Sequence, residues 1–519
     1  MSVRRVMGVE TEYGITLPSD PRADPIHLSG VIVRAYADAA GPQGALPQGA
    51  GWDYADEAPL RDARGYEMAR ELADVSQLTD VDDPTLANSV LSNGARLYVD
   101  HAHPEYSSPE VSNPLDAVRF DRAGEVVMHR AASASAQALG GSACSIRLYK
   151  NNVDGKGASY GTHDNYLLDR SVPFAQVVSG LLPFLVARPL ICGAGRVGLG
   201  PASEQPGFQI AARADYIETE VGLETTLRRP LVNTRDEPHS TATKYRRLHL
   251  ISGDATVADV GGLLKLGSTS LVLRLIETGL APMLQLRTPV EAVRTLSRDC
   301  TLRATVETRD GRHLTGLDLL AIYLDAAQSA YDSGHPGWEH DEDTDQVLTE
   351  WAMLMDDLRR DPSSGADRVD WVAKLALVGA YRDRGGLDWD DPKLALIDIQ
   401  YSDIDPARGL GLRMRAAGRL RSLVHEESVR RAVTYAPHDT RAWFRGECVR
   451  RFSDAIRAAS WDSVVFAPSA RGVARISLPE PLQATQAQTG ALFEAAQSVE
   501  EFLDSLRGPE QHAATESTV

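Results

Sequence analysis

Cysteine is scarce in this sequence. Cys144, Cys192, Cys300 and Cys448 are widely separated, and no two of them form a CxxC pair. A structural zinc site or a disulfide framework needs paired or clustered cysteines, so the sequence argues against both. We expect reduced thiols in the protein core.

Long hydrophobic runs and positive charge are also lacking. No segment approaches about eighteen uncharged apolar residues, and the first residues contain no apolar signal segment, so we expect a cytoplasmic protein without a membrane span. The chain has 54 Lys and Arg residues against 72 Asp and Glu residues, which gives a formal net charge of −18. This charge opposes binding to nucleic acid or to an anionic membrane, and we expect neither as a partner.

The remaining composition is typical of a globular enzyme, with 43% hydrophobic and 24% charged residues in a chain of 519. This length exceeds a single core, so we predict a large domain, 1–434, and a small C-terminal domain, 435–508, divided at "YAPHD". The polar segment 42–84 has no sustained period and is predicted to be a loop inserted in the large domain. Residues 509–519 are predicted to form a disordered tail.

Hydrophobic spacing predicts the main secondary structure elements. Helical spacing occurs near Leu115–Leu139, Phe174–Ile191 and Gly262–Thr278, and most of the chain beyond Leu317 is predicted to be helical. The segments "SIRLYKNN", which starts at Ser145, and "KYRRLHLI" are predicted to be strands.

Two glutamates lie close together in "GVETEYG", near the start of the chain. If Val6–Ile15 is a strand, alternation places Gly8, Glu10, Glu12 and Gly14 on one face. Two carboxylates about 6.8 Å apart repel each other in a cleft unless a cation lies nearby. For this stretch alone, a solvent-exposed face of an edge strand is the alternative interpretation.

A second polar stretch is "NGARLYVDHAHPEYSSPE". In its strand-like part, Leu97 and Val99 are predicted to face the core, so the polar residues between them share the other face. The stretch supplies Arg96, Tyr98, Asp100, His101, His103, Glu105 and Glu110. Carboxylate oxygens suit Mg²⁺, which commonly joins protein carboxylates to nucleotide phosphates.

Two further segments carry polar candidates. "KYRRLHLI" places Tyr245, Arg247 and His249 on one strand face, which suits a phosphate beside a metal ion. An exposed basic strand edge is the alternative interpretation of this segment alone. The glycine-rich turn in "GKGASYGTHDNY" leads to His163 and Asn165.

"GAGRVG", at 193–198, has the glycine spacing of a dinucleotide-binding loop. Such a site needs a helix that begins within the motif and presents its N-terminus to the pyrophosphate. Here Gly200 and Pro201 follow and the sequence continues as a loop, so we exclude this type of site.

A series of motifs now identifies a family. "MGVETEYG", "NGARLYVD", "HPEY", "YKNNVDGKGASYGTHDNY", "LICGAGRVG", "NTRDEPH" and "KYRRLHLISGD" closely resemble the Pup ligase and Pup deamidase family. The likeness continues through "DTRAWFRGECVRRF" and "AASWDSVVF" and so covers nearly the whole chain. It implies an α+β fold: a glutamine synthetase-like antiparallel sheet cradle packed with helices, plus a small C-terminal domain.

The family contains two activities. One member is an ATP-consuming ligase that attaches the modifier Pup to lysines, and the other deamidates the C-terminal glutamine of Pup and cleaves the Pup–lysine isopeptide bond. Three features resemble the second member: the segment "GWDYADEAPLRDARGYE", the spacing of "DHAHPEY", and the residues in "GASYG" and "VGLETTL". We therefore expect a hydrolase, with a Pup–protein ligase or related glutamate–amine ligase as the alternative. An inactive nucleotide-dependent adaptor is a third reading, which the intact Asp100, Glu10 and Glu105 disfavour.

The resemblance also implies a set of site residues. Asp100 would be the catalytic carboxylate, and Glu10, Tyr98, Glu105, His163 and His249 would lie at or near Mg²⁺, with Glu12 as a further candidate. The ATP pocket would be lined by Arg96, Ser107, Ser108, Asn165, Arg247 and Trp461. The implied cofactors are ATP, which is bound without stoichiometric consumption, and Mg²⁺; the implied partners are Pup and pupylated proteins, and we expect a monomer.

Two questions about the chemistry stay open in the sequence. Asp100 could attack the amide carbon or activate a water molecule, and a pKa lowered by nearby cations favours attack. An acidic, disordered modifier would need a local basic groove on this acidic enzyme. Candidates for its rim are Arg413, Arg415, Arg419, Arg421, Arg430 and Arg431, with a solvated helix face as the alternative interpretation.

Overall fold

The computed structural model describes residues 2–47, 50–74, 77–78, 87–139, 141, 145–154, 156–468 and 472–507. The predicted tail, 509–519, and Cys144 lie outside the described residues. Cys192, Cys300 and Cys448 are free thiols, and the first and third of them are buried. No described helix combines the length and the apolar character that a membrane crossing requires.

The strands are short and are distributed along the whole chain. They are β1 (Met7–Glu12), β2 (Gly14–Thr16), β3 (Gly51–Trp52), β4 (Arg61–Asp62), β5 (Tyr66–Glu67), β6 (Asn88–Val90), β7 (Arg96–Asp100), β8 (His103–Ser107), β9 (Arg147–Tyr149), β10 (Thr162–Asp169), β11 (Arg196–Leu199), β12 (Gln205–Gln209), β13 (Thr219–Gly222), β14 (Pro230–Asn233), β15 (Tyr245–Leu250), β16 (Thr305–Glu307), β17 (His313–Thr315), β18 (Ile456–Ala459), β19 (Ser463–Phe466) and β20 (Ala474–Ser477).

The helices dominate the second half of the chain, as predicted. They are α1 (Pro25–Ala40), α2 (Pro114–Ala138), α3 (Phe174–Ala187), α4 (Pro189–Cys192), α5 (Asp259–Glu277), α6 (Pro289–Arg298), α7 (Gly316–Asp332), α8 (Glu342–Arg360), α9 (Asp370–Gly385), α10 (Pro392–Tyr401), α11 (Leu410–Ala416), α12 (Glu426–Ala432), α13 (Ala442–Phe452), α14 (Gln486–Ala495) and α15 (Val499–Arg507).

The main sheet has six strands in the order β15-β10-β1-β8-β7-β6, and all neighbouring strands are antiparallel. This confirms the α+β class with an antiparallel sheet. The strand predicted over Val6–Ile15 is divided in two, because β1 ends at Glu12 and β2 pairs instead with β9. The predicted helices correspond to α2, to α3 with α4, and to α5, and the predicted strands to β9 and β15.

One face of the main sheet is apolar and packs on helices. Val9, Leu97, Tyr106 and Leu250 are all buried in the principal hydrophobic core. The ring of Tyr106 lies so close to α2 that a Cβ added at Gly124 would clash with it. Strand alternation therefore leaves the opposite face for polar side chains.

The "GAGRVG" segment contains β11, which pairs with β12 in an antiparallel hairpin. No described helix begins within this motif, as the sequence predicted. The hairpin therefore does not present the helix N-terminus that a dinucleotide-binding loop uses.

A second sheet, in the order β20-β19-β18-β3, joins three strands from the C-terminal part of the chain to β3. The segment 42–84 was predicted to be a loop, but its described part contains β3, which pairs in parallel with β18. Trp52 of β3 belongs to a separate hydrophobic cluster with Phe444, Phe493 and Phe502. The inserted segment therefore packs into the C-terminal hydrophobic cluster, because burial of the Trp52 indole stabilises it there in spite of the polar composition of the segment.

Candidate active site

The polar face of the main sheet brings the predicted site residues together. Glu10 on β1 lies opposite His163 on β10 and Ser107 on β8, and Glu12 lies opposite Glu105. The other strands add their own alternate residues to this face, namely Arg96, Tyr98 and Asp100 on β7, Asn165 on β10, and Arg247 and His249 on β15.

Glu10 is the centre of a first polar cluster. Its Oε2 lies 3.2 Å from Nδ1 of His163, and its Oε1 accepts hydrogen bonds from Asn165 Nδ2 at 2.9 Å and Arg247 Nη1 at 3.4 Å. Burial opposes ionisation of Glu10, but the interactions with His249, His163 and Arg247 outweigh it and lower its pKa. Glu10, His163 and His249 each offer a ligand atom within 4.8 Å of the other two, which suits a metal ion.

A second cluster contains Glu12, Asp100 and Glu105, whose carboxylate oxygens also lie within 4.8 Å of one another. Glu12 accepts a hydrogen bond from the Gly161 amide at 2.6 Å, and Glu105 accepts one from the Tyr98 hydroxyl at 2.6 Å. Burial, followed by the charges of Asp100, Glu10 and Glu12, raises the pKa of Glu105 well above its usual value. Negative charge is thus concentrated here, and the imidazoles of His101 and His103 lie next to Asp100 and Glu12, respectively.

Asp100 has one close cationic neighbour, His101. The Nδ1 of His101 lies 3.0 Å from Oδ1 of Asp100. His101 has a φ of 51°, which places it in the left-handed region at the turn between β7 and β8. Burial opposes ionisation of Asp100, but the hydrogen bond from His101 and the nearby imidazole charges lower its pKa. The same hydrogen bond raises the pKa of His101 to about 9.

A cavity lies on the Glu10 side of the polar face. Ser107, Ser108, Asn165, Arg247 and Trp461 line it together with Glu10, so five of the six residues predicted for a nucleotide pocket surround one space. Trp461 reaches this cavity from the C-terminal part of the chain.

Trp461 is held in place by Arg445. The Nη1 of Arg445 donates a hydrogen bond to the Trp461 carbonyl at 2.7 Å, and its guanidinium lies 5.1 Å from the centre of the indole ring. Two donors of the same guanidinium bind the Gly94 carbonyl, so Arg445 connects Trp461 to the turn before β7.

Arg96 occupies a different position from the other predicted nucleotide residues. Its guanidinium is stacked between Trp52, at 3.8 Å, and Tyr98, at 3.9 Å, and does not line the cavity. Trp52 in turn contacts Trp461 edge to face, with ring centres 5.4 Å apart. The inserted segment therefore forms the support behind this wall of the cavity.

Sequence analysis missed a third group of titratable residues. Glu57, Glu237 and His239 offer ligand atoms within 4.8 Å of one another, and Trp52 Nε1 donates to Glu57 at 2.8 Å. Burial, then the charge of Glu237, raises the pKa of Glu57 to about 8. The motif "NTRDEPH" contains Glu237 and His239 and could have drawn attention to them, but nothing in the sequence connects them to Glu57.

The arginines predicted to edge a basic groove do not form one surface. The prediction that Arg415 lies on the rim of a groove is wrong. Its side chain is 9% exposed and pairs with the buried Glu125, because an ion pair in the core satisfies both charges. Arg421 pairs with Glu350. The remaining four, Arg413, Arg419, Arg430 and Arg431, are exposed.

The chain is similar to known proteins over nearly its whole length. It is 52% identical to the Pup deamidase/depupylase of Mycolicibacterium smegmatis, covering 97% of this chain and 100% of that protein. A crystal structure of the complex between the prokaryotic ubiquitin-like protein Pup and its ligase PafA matches with a TM-score of 0.77 and 30% identity, covering 100% of this chain and 98% of that one. A structure of the Pup ligase PafA with ADP matches with a TM-score of 0.70 and 33% identity over 78% of this chain and 89% of that one.

The model of the Pup-ligase protein family matches residues 5–465. This range includes both carboxylate clusters and all the residues that line the cavity except Pro481. The chain belongs to the Pup ligase family.

Proposed function

We propose that this protein is a hydrolase that deamidates the C-terminal glutamine of Pup and cleaves the Pup–lysine isopeptide bond of tagged proteins. The observation that carries this proposal is the position of Asp100, which lies in an acidic cluster on the sheet face that also carries the cavity lined by Glu10, Arg247 and Trp461. The 52% identity to a Pup deamidase/depupylase, against 30% to 40% to Pup ligases, favours hydrolysis over ligation.

Mg²⁺ fits the donor groups of the two clusters. The proposed ligands are Glu10, Tyr98, Glu105, His163 and His249, and Glu12 lies within ligand distance of Asp100 and Glu105. Carboxylate oxygens are the ligands that Mg²⁺ prefers, and a divalent ion would balance the charge that raises the pKa of Glu105. When bound, the ion would polarise the scissile carbonyl and stabilise its developing negative charge.

The cavity residues fit a nucleotide. Ser107 and Ser108 supply hydroxyls, Arg247 supplies a guanidinium for phosphate, and Trp461 supplies an aromatic face for a base. Arg96 is the sixth residue proposed for the nucleotide site. It lies behind the cavity wall, where its guanidinium stacks on Trp52. The ADP complex of a Pup ligase supports nucleotide binding by this chain.

Asp100 is proposed to act as a nucleophile. A carboxylate with a lowered pKa is a weak general base at neutral pH but is fully ionised for attack. Attack of an Asp100 oxygen on the side-chain carbonyl carbon would form an acyl-aspartate and release ammonia or the lysine amine, and water would then hydrolyse the acyl group. His101 is protonated at neutral pH, and its Nδ1 lies 3.0 Å from Asp100. It can therefore donate a proton to the leaving nitrogen.

The reaction class is tested by incubating the protein with Mg²⁺, ATP and Pup that ends in glutamine or in a lysine conjugate. Release of ammonia and of free target protein, without matching ADP, is the expected result. Formation of ADP in proportion to a new Pup conjugate would instead identify a ligase.

The role of Asp100 is tested in a single turnover in H₂¹⁸O. Attack by Asp100 forms a covalent Pup adduct that an acid quench can trap, and it places ¹⁸O in the Asp100 carboxylate in those turnovers in which water attacks the aspartyl carbon of the acyl-aspartate. If the label enters only the product and no adduct forms, Asp100 acts as a base.

A further inference from the structure

The turn between β6 and β7 precedes the strand that carries Asp100. In this turn, Leu91–Ala95, the Leu91 amide donates to the Ala95 carbonyl at 2.9 Å. Gly94 has a φ of 79°, a backbone conformation that favours glycine. The turn residues, all of which the structure describes, do not line the cavity that we propose for a nucleotide. A nucleotide in that cavity can therefore affect the turn only through other residues.

Arg445 connects this turn to the wall of the cavity. Its Nε and Nη2 donate hydrogen bonds to the Gly94 carbonyl at 3.1 and 2.8 Å, and its Nη1 donates to the Trp461 carbonyl at 2.7 Å. Trp461 lines the cavity, whereas Arg445 is fully buried and does not line it. Because the donors of a guanidinium lie in one rigid plane, they fix the two carbonyls relative to each other.

The charge of Arg445 is already balanced within the protein. Its Nη1 and Nη2 both donate to the carboxylate of Glu110, which also accepts a hydrogen bond from Arg441. Burial of the guanidinium therefore requires no anion from outside. The hydrogen bonds to the carbonyls of Gly94 and Trp461 come in addition to this ion pair, and they fix the positions of two backbone segments.

Helix α13, which carries Arg445, lies directly against the turn. A Cβ added at Gly446 of α13 would lie 2.4 Å from the Ser92 carbonyl oxygen. A Cβ added at Gly94 of the turn would lie 3.0 Å from the Ala442 carbonyl oxygen. Backbone segments packed this closely cannot shift independently, so a displacement of α13 also displaces the turn.

Strand β7 connects the turn to Asp100. It is paired with β8 along its whole length, and the pairs include Arg96 with Ser107 and Asp100 with His103. The strand extends about 20 Å from Gly94 to Asp100, at about 3.3 Å per residue. A shift of the turn would strain these pairs and change the position of Asp100. A misplacement of about 1 Å in a reacting group can lower a rate about 10²-fold.

We propose that Arg445 is a positioning residue that couples nucleotide binding to the strand that carries Asp100. A base packed on Trp461 would restrain Arg445, and Arg445 would restrain the turn that sets the position of Asp100. The effect of Arg445 on the reaction rate rests on the proposed function. The ordering of the turn by a nucleotide requires only that the cavity binds one.

The test compares Arg445→Lys with the wild type. Lysine keeps a positive charge beside Glu110 but lacks the planar group that bonds to two carbonyls at once. Arg451→Lys is the matched control, because Arg451 lies on the same helix, pairs with Glu447 and donates to the Phe493 carbonyl at 2.7 Å. Both substitutions remove a guanidinium that joins a carboxylate to a carbonyl, but the bonds of Arg451 lead to α14 and not to the turn.

Hydrogen exchange of the turn amides is measured by mass spectrometry without nucleotide and with Mg²⁺ and ADP, at ADP concentrations that saturate each protein. ADP should slow this exchange about tenfold or more in the wild type and in Arg451→Lys, but less than about threefold in Arg445→Lys. In deamidation of Pup at saturating ATP, the kcat of Arg445→Lys should fall about tenfold or more, while its KM for Pup changes less than about threefold. The loss is expected in kcat because a misplaced Asp100 impairs the reaction and not the binding of Pup.

Equal slowing of exchange in all three proteins would overturn the proposal, and so would an unchanged kcat of Arg445→Lys. Weaker ADP binding by Arg445→Lys with normal exchange and normal kcat would show that Arg445 only supports Trp461, which also overturns it. Should Arg445→Lys not fold, the wild type decides: slower exchange of the turn with ADP supports the coupling, and unchanged exchange overturns it. If the wild type does not hydrolyse Pup, the proposed function fails, and the exchange measurement still tests the coupling.

Discussion

Glu105 and Glu110 are close in sequence and both largely shielded from water, yet their pKa values shift in opposite directions. Burial and the charges of Asp100, Glu10 and Glu12 raise the pKa of Glu105 well above its usual value. At Glu110, burial is outweighed by Arg445 and Arg441, which lower the pKa to about 2. Glu110 has fixed cations from its own chain, whereas Glu105 forms no ion pair with any of the residues that the structure describes.

The difference separates a structural carboxylate from a functional one. Arg441 Nε donates to Glu110 at 2.7 Å, and Arg445 binds the same carboxylate, which fastens helix α13 to the end of the main sheet. Within the described part of the chain, the side-chain donors to Glu105 are the hydroxyls of Tyr98 and Ser107. A site that must accept a metal ion has to leave its charge unbalanced by protein groups.

Asp100→Asn should have the largest effect and tests the functional side of this comparison. Removing the proposed nucleophile should lower the rate of depupylation by at least about 10³-fold, because the amide cannot attack. The rate is measured by release of a target protein, and nucleotide affinity by fluorescence titration. Asp169→Asn, at an exposed position, is the control; loss of nucleotide binding in Asp100→Asn would contradict a purely catalytic role.

Glu110→Gln tests the structural side. It removes the counter-ion of two buried arginines and should cost about 3 kcal/mol of unfolding free energy at pH 7. Since the pKa of Glu110 is lowered on folding, its contribution is present above about pH 4.5 and is lost as the pH falls towards 2. Urea unfolding at pH 7 and pH 3 should therefore show a smaller difference from the wild type at pH 3.

The control for this measurement is Glu427→Gln, which removes a mostly exposed carboxylate paired with Arg430. It should behave like the wild type at both pH values. A cost of Glu110→Gln that is the same at pH 7 and pH 3 would show that the arginines do not act through the ionised carboxylate.

Trp461→Ala tests whether the aromatic side chain in the cavity lining contributes to nucleotide binding. Loss of the aromatic face should weaken nucleotide binding by about tenfold, measured by calorimetric titration with ADP and Mg²⁺. Trp389→Ala, which alters an indole outside the cavity lining, should leave the affinity unchanged. Unaltered affinity in Trp461→Ala would remove this residue from the nucleotide site.

Glu105→Gln should have the smallest effect on the protein without metal. Because burial already favours the protonated form of Glu105, glutamine replaces a neutral group, and the unfolding free energy should change by less than about 1 kcal/mol. Addition of Mg²⁺ and ATP should raise the Tm of the wild type but raise that of Glu105→Gln less. An equal rise in both proteins would exclude Glu105 as a ligand.

The local part of the site could be predicted from the sequence. Strand alternation placed Glu10 and Glu12 on one face and Tyr98 and Asp100 on one face, because the side-chain period of a strand is a local property. That the polar faces of the two strands lie next to each other, however, was implied only by the family resemblance. Neither pattern indicated that Glu12 would join Asp100 and Glu105.

Contacts between distant segments could not be predicted. Trp52 and Trp461 touch across most of the chain, and Arg415 meets Glu125 in the core although its sequence suggested an exposed helix face. Such pairs depend on how helices and strands pack, and composition carries no information about the partner. The inserted segment was predicted to be a loop for the same reason, since its pairing partner lies in β18.

The parallel pairing of β3 with β18 sets an order of events during synthesis. Gly51 and Trp52 leave the ribosome early, whereas Ala458 and Ala459, their partners, are made near the end. At about 5–20 residues per second, Trp52 waits for tens of seconds before its strand can pair. A nascent chain interrupted before β18 would therefore contain Asp100 and both carboxylate clusters but lack the strand that pairs with Trp52 and the Trp461 indole that lines the cavity.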